Sequence, residues 1–362
     1  MTNNRSCRGV VRPRPLAVIA AGGTGGHVFP AVCLANSFSD DGVNVIFFTD
    51  ARGARYTTGL SCHIVRQNIA TTPRWAMYIS LIFNALARIW TLRRLKPDVV
   101  VGFGGYPSVP CALAAQALRI KTIIHEQNAV IGLANKLLSK MATKILTSFP
   151  QTIGIRDSPK VIRVGNPTRF ENRYGAVGKP SNRVFTILIF GGSQGSMVFA
   201  KVIPPVVREL AKSFPIKVFH QCQVEAIEDL RQTYSTHGIS HLVSGFFDNI
   251  GELYEEADLV ISRAGASSVS EIIGFQKPSI LIPFKNSING DQKANAEFLQ
   301  TRNAAFVIDE TDELGAKLKT LIESVASDKS KLTSIADALR SLRLADCTLN
   351  MKRIVTKEAL GF

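Results

Sequence analysis

The sequence has few cysteines, and they follow no pattern that would hold a metal ion or a disulfide framework. Six cysteines are scattered through 362 residues, and no C-x-x-C pair occurs among them. Several lie inside apolar segments, which predicts reduced, buried thiols in a cytosolic protein. Residues 1–15 are polar and basic and contain no apolar run, so we expect a flexible lead-in there and no secretory signal.

Acidic residues are also scarce relative to basic ones. The chain has 28 Asp and Glu against 43 Lys and Arg, which gives a formal net charge of +15. Such a charge predicts a polyanionic partner: a nucleic acid, an anionic membrane surface or a phosphorylated substrate. An RNA-recognition signature, zinc-finger spacing and a compact Lys/Arg run are all missing, so nucleic acid ranks last. A length of 362 residues is enough for two domains, and 46% hydrophobic with 20% charged residues predicts a folded globular protein.

What the sequence does contain is a glycine-rich stretch at 22–26 that ends in His27. Apolar runs at 16–19 and 31–35 flank it, which predicts a turn between a buried strand and a helix. Glycines let a backbone approach a ligand closely, and the free amides of a helix's first turn attract phosphate or another anion. A histidine beside such a site suggests reaction chemistry as well as binding. The alternative is a merely tight turn in which the His27 ring caps the helix.

Two common phosphate-binding motifs do not fit this turn. The dinucleotide fingerprint G-x-G-x-x-G, counted from Gly23, requires a glycine where Val28 stands. The P-loop requires a lysine directly after its glycines, and none follows here. The turn is therefore predicted to bind an anion in another way.

Two further predicted strands also end in residues that packing alone does not explain. The strand predicted at 97–102 leads into a second glycine turn, which contains Gly104, Gly105 and Tyr106. The strand at 121–124 ends in four consecutive polar residues, His125, Glu126, Gln127 and Asn128. Ligands of open parallel sheets bind outside the carboxyl ends of the strands. These turns are therefore predicted to line one site.

The second half repeats this design after a predicted hinge and linker at 161–183. A strand at 185–190 leads into Gly191-Gly192-Ser193-Gln194-Gly195, which matches 22–26 in its glycines and its hydroxyl residue. A cleft between the halves could therefore grip a diphosphate from both sides. After a strand at 259–262 a helix opens with Ser267 or Ser268 as its predicted N-cap. Glu271 either completes that cap or accepts sugar hydroxyls.

The remaining segments carry weaker predictions. Residues 74–90 form a nearly all-apolar helix, interrupted by Asn84 and Arg88 and followed by three basic residues. Such a helix is either buried in the core or dips its aromatic side chains into an anionic membrane face. Beyond a strand at 279–283 and a polar loop at 286–291, only helices are expected. The last one, at about 347–362, is predicted to pack back onto the first half.

Seven motifs occur in an order that carries a family resemblance. They are Gly-Gly-Thr-Gly-Gly-His at 22–27, Gly-Tyr-Pro-Ser at 105–108, His-Glu-Gln-Asn at 125–128, Gly-Asn-Pro at 165–167, Gly-Gly-Ser-Gln-Gly at 191–195, Gly-Ala-x-x-Val-Ser-Glu at 265–271 and Asp-Gln-x-x-Asn-Ala at 291–296. Over roughly residues 16–306 the chain resembles the MurG family. These bacterial transferases add N-acetylglucosamine to lipid I, which makes lipid II for peptidoglycan.

The resemblance implies an α/β fold of the GT-B type, with two Rossmann-like parallel-sheet domains facing across a cleft. The domains would span 1–165 and 166–346, with the last helix returning to the first. It also implies an inverting, metal-independent reaction without a cofactor, by a peripheral protein on the cytoplasmic side of the inner membrane. The implied partners are UDP-N-acetylglucosamine, lipid I with its undecaprenyl diphosphate, and the anionic membrane surface, but no nucleic acid.

The resemblance also assigns residues. Those implied to contact the donor are Thr24, Gly25, Gly26, Asn128, Arg169, Ser193, Phe247, Ala266, Ser267, Ser268, Val269, Ser270, Glu271 and Gln292. Among them, Glu271 would hold the ribose and Phe247 would read the uracil through its backbone. The acceptor side would contain Gly104, Gly105 and Tyr106. Four residues depart from the family pattern and weaken any claim on acceptor geometry: Val109, Ser196, Ala200 and Gln223.

The expected chemistry is a single displacement at the anomeric carbon by the 4-hydroxyl of N-acetylmuramic acid. His27 is the first candidate for the base, followed by Glu126 and His125, and His125 could equally be a hydrogen bonder that orients the site. Helix N-termini, the Ser193 turn and Arg169 would stabilise the leaving UDP. Two alternatives stay open: a sugar-nucleotide or lipid-diphosphate binder without transfer activity, and another GT-B transferase, such as one acting on diacylglycerol.

Overall fold

The computed structural model describes residues 14–68, 74–174, 184–192 and 195–360, in which strands and helices alternate along the chain. The strands are β1 (Leu16–Ala20), β2 (Asn44–Asp50), β3 (His63–Gln67), β4 (Val99–Gly102), β5 (Lys121–Glu126), β6 (Lys144–Thr147), β7 (Val161–Arg163), β8 (Phe185–Phe190), β9 (Ile216–Gln221), β10 (Ser240–Ser244), β11 (Leu259–Ser262), β12 (Ser279–Leu281) and β13 (Phe306–Val307). The helices are α1 (Gly25–Asp40), α2 (Arg74–Leu95), α3 (Val109–Ala117), α4 (Leu133–Leu138), α5 (Met197–Leu210), α6 (Ile227–Thr236), α7 (Ile250–Glu256), α8 (Ala266–Phe275), α9 (Asp291–Gln300), α10 (Leu314–Ser327), α11 (Lys329–Leu342) and α12 (Cys347–Leu360).

The strands form two separate parallel sheets. In the described parts of the chain, the first has seven strands in the order β3-β2-β1-β4-β5-β6-β7, and the second has six in the order β10-β9-β8-β11-β12-β13. Every strand pair is parallel. Apolar runs such as Val99–Gly102 and Phe185–Phe190 are buried along their whole length because helices cover both sheet faces. The prediction of two Rossmann-like parallel-sheet domains is confirmed.

Each sheet has one point where the strand order reverses. In the first sheet it lies between β1 and β4, and in the second between β8 and β11. Ligands of doubly wound sheets bind outside the carboxyl ends of the strands at this point. The predicted glycine turns follow β1, β4 and β8, and the small-residue turn at 263–265 follows β11. All four turns therefore lie where such a sheet opens toward a ligand.

The last helix, α12, returns to the first sheet. Met351 and Val355 are almost fully buried in a core that also contains residues of β1, β2 and α1. Two ion pairs accompany this apolar contact, from Lys352 to Asp41 at 2.8 Å and from Lys144 to Glu358 at 3.3 Å. The end of the chain thus stabilises the domain in which the chain began.

Several predicted element boundaries need correction. The first helix begins at Gly25, so Pro30 lies inside it, whereas the apolar run at 31–35 suggested a later start. Within the predicted hinge, Val161–Arg163 pairs with β6 as an edge strand, because this short run can still extend the ladder. Residues 175–183 lie outside the described parts of the chain. The segment predicted to be only helical contains β13, a two-residue strand too short to give a periodic signal.

The apolar helix α2 is longer than predicted and is only partly buried. Leu92 is buried against the first sheet, whereas a stripe of five residues faces outward: Ile79, Ile82, Phe83, Leu86 and Trp90. Their exposed fractions range from 46% to 68%, so of the two alternatives the helix buried in the core does not hold for this face. The side chain of Trp75 lies outside the described residues. Within the described chain, no helix combines the length and apolar content needed to cross a bilayer.

Candidate active site

The two glycine turns of the first domain meet at His27. Its ring packs against the backbone of the second turn, where a Cβ on Gly104 would lie 3.2 Å from His27 Cδ2. A Cβ on Gly105 would come within 2.9 Å of the carbonyl oxygen of Gly22, which explains why that position needs a glycine. Thr24 is the N-cap of α1, and its hydroxyl lies 3.3 Å from Nδ1 of His27. The ring therefore does not cap the helix, contrary to the alternative considered above.

The imidazole of His27 is held in its neutral form. Loss of hydration lowers its pKa from 6.5 to about 4, so the imidazole carries no charge at neutral pH. Its Nδ1 lies near Thr24, and its Nε2 has no hydrogen-bond partner among the described residues. A neutral ring with one unengaged nitrogen can accept a proton from a substrate hydroxyl.

A carboxylate that sequence analysis did not assign holds the first glycine turn. Oδ1 of Asp50, at the end of β2, accepts hydrogen bonds of 2.9 Å from the backbone N–H groups of Gly23 and Gly53. Its other oxygen accepts from the Tyr106 hydroxyl at 3.0 Å, and Arg52 also contacts that hydroxyl. Burial is the largest single influence and opposes ionisation of Asp50, but the two N–H donors, the Tyr106 hydroxyl and Arg52 together outweigh it and lower its pKa. Asp50 thus fixes Tyr106 relative to the turn.

His125 has both ring nitrogens engaged in structural contacts. Gln127 donates from Nε2 to Nδ1 of His125 at 3.1 Å, so the proton of the ring lies on Nε2. That nitrogen donates to the carbonyl of Gly165 at 2.9 Å, in the segment that connects the two sheets. Burial lowers the pKa of His125 to about 4. The ring is fully buried, so its geometry suits an orienting role and leaves no nitrogen for substrate.

Glu126 is likewise buried and saturated with donors. Its Oε1 accepts from the backbone N–H of Asn128, and Oε2 accepts from the Gly132 N–H and from Nδ2 of Asn135, at 2.9–3.1 Å. Burial raises its pKa, against the opposing effect of these donors. The carboxylate therefore shapes the loop between β5 and α4. Asn135, which sequence analysis did not single out, completes this arrangement.

The first turn of α8 lies opposite the first turn of α1. A Cβ on Gly26 would lie 3.9 Å from Oγ of Ser267, so residues of the two domains approach each other here. This Oγ is buried and has no hydrogen-bond partner among the described residues. A buried hydroxyl without a partner at a domain boundary is suited to a ligand. The first turns of α1 and α8 thus lie close together, and the free N–H groups of such turns favour a nearby anion.

The predicted cap of α8 is wrong. The N-cap is Gly265, and no side chain caps this helix. Glu271 lies one and a half turns into the helix and is bound by the hydroxyl of Tyr254 at 3.2 Å, so it does not close a capping box. In the same turn Val269 is fully buried, and the Ser270 hydroxyl donates to the Ala266 carbonyl at 2.8 Å. Ser268 and Ala266 are also buried.

The carboxyl group of Glu271 lies near the guanidinium of Arg169. Burial raises the pKa of Glu271 to about 7, and the nearby Arg169 partly opposes that shift. The Arg169 guanidinium stacks over Phe29 of the first domain at 4.7 Å and over Phe170 at 4.9 Å. Arg169 therefore lies at the boundary between the two domains. Its cation can serve either a ligand anion or the carboxylate of Glu271.

Two side chains contact the residues that flank the glycine turn after β8. The side chain of Gln221 donates to the Gly192 carbonyl at 3.1 Å. Ser196 caps α5 through the N–H of Phe199, and Arg263 donates to the same hydroxyl at 3.1 Å. Ser193, the residue of this turn that was predicted to contact the donor, lies outside the described residues. The described residues on either side of it, Gly192 and Ser196, are held by these contacts.

Two more predicted donor residues lie at the ends of loops in the second domain. Oε1 of Gln292 accepts from the backbone N–H of Phe284 at 3.0 Å, which leaves its NH₂ group for a ligand. The ring of Phe247 is buried in the core, so only its main chain can face a ligand. This geometry suits the backbone role that the resemblance implied for Phe247.

Comparisons with known proteins agree with this architecture. Residues 17–147 match the Glycosyltransferase family 28 N-terminal domain, and residues 186–348 match the Glycosyltransferase family 28 C-terminal domain. A crystal structure of MurG from Acinetobacter baumannii is 28% identical, with a TM-score of 0.80 over 95% of this chain and 100% of that one. A UDP-GlcNAc 2-epimerase from Neisseria meningitidis, 12% identical with a TM-score of 0.67, shares the fold.

Curated relatives extend the similarity over nearly the whole chain. A UDP-N-acetylglucosamine--N-acetylmuramyl-(pentapeptide) pyrophosphoryl-undecaprenol N-acetylglucosamine transferase from Methylobacterium sp. (strain 4-46) is 35% identical over 96% of this chain and 98% of its own. The transferase of the same name from Rhodospirillum rubrum is 37% identical over 94% of this chain and 91% of its own. The fold and the two family models together define a glycosyltransferase of the GT-B type. Within that class, the chain belongs to the family of these N-acetylglucosamine transferases, as its resemblance to MurG predicted.

Proposed function

We propose that this chain transfers N-acetylglucosamine from UDP-N-acetylglucosamine to the 4-hydroxyl of N-acetylmuramic acid in lipid I, with inversion, for peptidoglycan synthesis. The observation that carries the proposal is the approach of Gly26 to Ser267, since it brings two helix N-termini to one cleft. A sugar diphosphate placed there would receive N–H groups from both domains. Family membership supports the choice of donor and acceptor.

In the proposed mechanism the acceptor hydroxyl attacks the anomeric carbon while UDP leaves. His27 takes the hydroxyl proton at Nε2, the ring nitrogen that has no partner among the described residues. Negative charge that develops on the leaving diphosphate is stabilised by the α8 N-terminus, by Arg169 and by the turn that carries Ser193. Glu271 accepts the ribose hydroxyls, and the main chain at Phe247 reads the uracil. The remaining donor contacts are proposed for Thr24, Gly25, Gly26, Asn128, Gln292 and residues 266–270.

We further propose that the reaction takes place at the cytoplasmic face of the inner membrane, where lipid I is held by its undecaprenyl chain. The exposed stripe on α2 supports this attachment, because five large apolar side chains share one helix face. Arg93 and Arg94 lie in the last turn of the same helix, and anionic lipids attract such basic residues. The net charge of +15 acts in the same direction.

The direct test is transfer of labelled N-acetylglucosamine to lipid I in detergent or vesicles. We expect a lipid II product with inverted configuration at the new bond, and UDP-glucose should compete poorly with UDP-N-acetylglucosamine. Binding of the donor without transfer would instead favour a catalytically inactive binder. Transfer to diacylglycerol would favour the other class of GT-B transferase.

Metal removal gives a separate test of the mechanism. Since Arg169 and helix N-termini are proposed to stabilise the leaving group, transfer should persist at its full rate in excess EDTA. The rate before and after chelation, with and without added Mg²⁺, provides the measurement. A loss of activity that Mg²⁺ restores would contradict the metal-independent mechanism.

A further inference from the structure

Asn295 joins the two domains through one fully buried amide. It lies on α9 of the second domain and is 0% exposed. Its Oδ1 accepts from the backbone N–H of Ala129 at 2.8 Å, across the domain boundary. Its Nδ2 donates to Oδ1 of Asn128 at 3.1 Å and to the carbonyl of Ala264 at 3.0 Å. Three elements from two domains therefore meet at this side chain.

The partners of Asn295 fix how its amide is oriented. The Ala129 N–H can only donate and the Ala264 carbonyl can only accept, so exchanging the oxygen and nitrogen of Asn295 would break both hydrogen bonds. This orientation also makes the Asn128 oxygen the acceptor. The NH₂ group of Asn128 is thereby turned toward Oε1 of Glu126, at 3.4 Å.

A continuous hydrogen-bonded path thus runs between the two sides of the cleft. On the donor side, Ala264 directly precedes Gly265, the N-cap of α8. On the other side, Asn128 is linked through its backbone and side chain to Glu126, which orders the loop that leads into α4. Asn128 is half-buried, so its amide can still reach the cleft. The side chain of Asn295 is fully buried and does not reach the cleft.

We propose that Asn295 is a positioning residue for the transfer reaction, which sets the side chain of Asn128 against the donor sugar once the nucleotide occupies the α8 N-terminus. This inference rests on the proposed function. Asn295 acts through Asn128 and touches no substrate. Its hydrogen bonds are directional, so it fixes one placement of Asn128 relative to Ala264, which an apolar residue of similar size could not do.

An adjacent apolar contact makes the inference testable without dismantling the interface. Phe298, on the same helix, packs edge-on against Phe149 of the first domain, with ring centroids 4.9 Å apart. That contact remains in variants of Asn295. Loss of the amide should therefore disturb the position of Asn128 more than it disturbs the packing of the domains.

The first variant is Asn295→Asp, which keeps the size and the acceptor for Ala129. Its second oxygen would face the Ala264 carbonyl and the Asn128 oxygen, which replaces two attractive contacts by repulsion. We expect the loss of these buried hydrogen bonds, with the repulsion that replaces them, to lower kcat by about 10–100-fold. UDP affinity should stay within about threefold, because UDP alone does not need Asn128. The matched control, Gln300→Glu, adds the same charge on the exposed end of the same helix.

A double-mutant cycle distinguishes positioning from general destabilisation. Asn128→Ala should remove most of the effect of a second change at Asn295, so the double variant Asn128→Ala, Asn295→Asp should be only slightly slower than Asn128→Ala alone, the remainder coming from repulsion of the Ala264 carbonyl. Asn295→Ala, which brings no new charge, should show the same non-additivity if Asn295→Asp fails to fold. UDP affinity and the melting temperature of each variant report on folding.

Two outcomes would overturn the inference while leaving the proposed function intact. One is an Asn295→Asp enzyme with the kcat of the active wild type. The other is additive losses in the double-mutant cycle, which would mean that Asn295 does not act through Asn128. A wild-type chain that transfers nothing to lipid I would overturn the proposed function, and this inference with it.

Discussion

At the scale of single residues, the three candidate bases differ in what their polar atoms already do. Both nitrogens of His125 and both oxygens of Glu126 are engaged with neighbouring groups in the fold. His27 alone among these three keeps a ring nitrogen without a partner in the described structure. This geometry favours His27 over Glu126 and His125 as the proposed base.

Replacing the base should slow turnover without weakening nucleotide binding. His27→Ala is expected to lower kcat by about 10²–10⁴-fold, the usual contribution of general-base catalysis. The dissociation constant for UDP should be nearly unchanged because the nucleotide is proposed to lie on the second domain. Steady-state transfer to lipid I and UDP titration provide the two measurements. His63→Ala, at an exposed histidine of the same domain, is the control. Full turnover by His27→Ala would refute its role as the base.

The buried carboxyl of Glu271 predicts a specific pH dependence of stability. Burial raises its pKa to about 7, so the folded state binds a proton more tightly than the unfolded chain does. The contribution of Glu271 to stability is therefore fully present below about pH 4.5 and is lost as the pH rises to about 7. The side chain of Glu271→Gln cannot ionise, so the stability of this variant should not fall with pH for this reason.

We expect the melting temperature of Glu271→Gln, relative to wild type, to rise between pH 5 and pH 8. Melting curves of both proteins without ligand, at several pH values, provide the measurement. Glu225→Gln, at an exposed position in the same domain, should show no such trend. A constant difference between Glu271→Gln and wild type across this range would contradict the raised pKa.

At the scale of elements, long apolar patterns were predictable and short ones were not. The strands at 185–190 and 259–262 were predicted with the bounds that the structure has, because continuous apolar runs ending in glycine or small residues give a clear signal. The edge strands β7 and β13 have two or three residues each and depend on a neighbouring strand for their hydrogen bonds. Helix α7 was missed because its apolar and acidic residues alternate within only seven positions.

The exposed stripe of α2 should carry membrane binding. Replacing Ile82, Phe83, Leu86 and Trp90 by serine removes the apolar side chains that would enter the lipid interface. We expect this variant to lose flotation with vesicles rich in anionic lipid, and the wild type to release from them at high salt.

The control for this test changes exposed apolar residues outside the stripe. Val224→Ser with Leu242→Ser alters two such residues of the second domain, and this protein should float like the wild type. Equal flotation of the α2 variant and the wild type would rule out the stripe as the membrane contact. Circular dichroism of each variant checks that α2 still folds.

At the scale of the whole molecule, the sequence identified the turns of the site but not the contacts that hold them. The glycine turns and the polar run at 125–128 were visible because their residue types are unusual after a buried strand. The links from Asp50 to Gly23 and from Asn295 to Ala129 span 27 and 166 residues, and they depend on how the strands are ordered and the domains docked. Local sequence patterns contain no information on the strand order or on the docking of the domains.

The return of α12 to the first domain gives a prediction about the stability of the whole chain. Met351 is completely buried against the first sheet, so Met351→Ala should lower the free energy of unfolding of that domain by about 2–5 kcal/mol. Arg353→Ala, at an exposed position of the same helix, should change it by less than about 0.5 kcal/mol.

The tryptophans allow this loss to be assigned to one domain. Both of them, Trp75 and Trp90, lie on α2, so their fluorescence during urea unfolding reports on the first domain alone. We expect the fluorescence midpoint of Met351→Ala to fall while its UDP affinity stays that of the wild type. An unchanged midpoint would mean that burial of the Met351 side chain does not stabilise the first domain. A loss of UDP affinity would mean that α12 supports the second domain as well, because nothing else in the variant has changed.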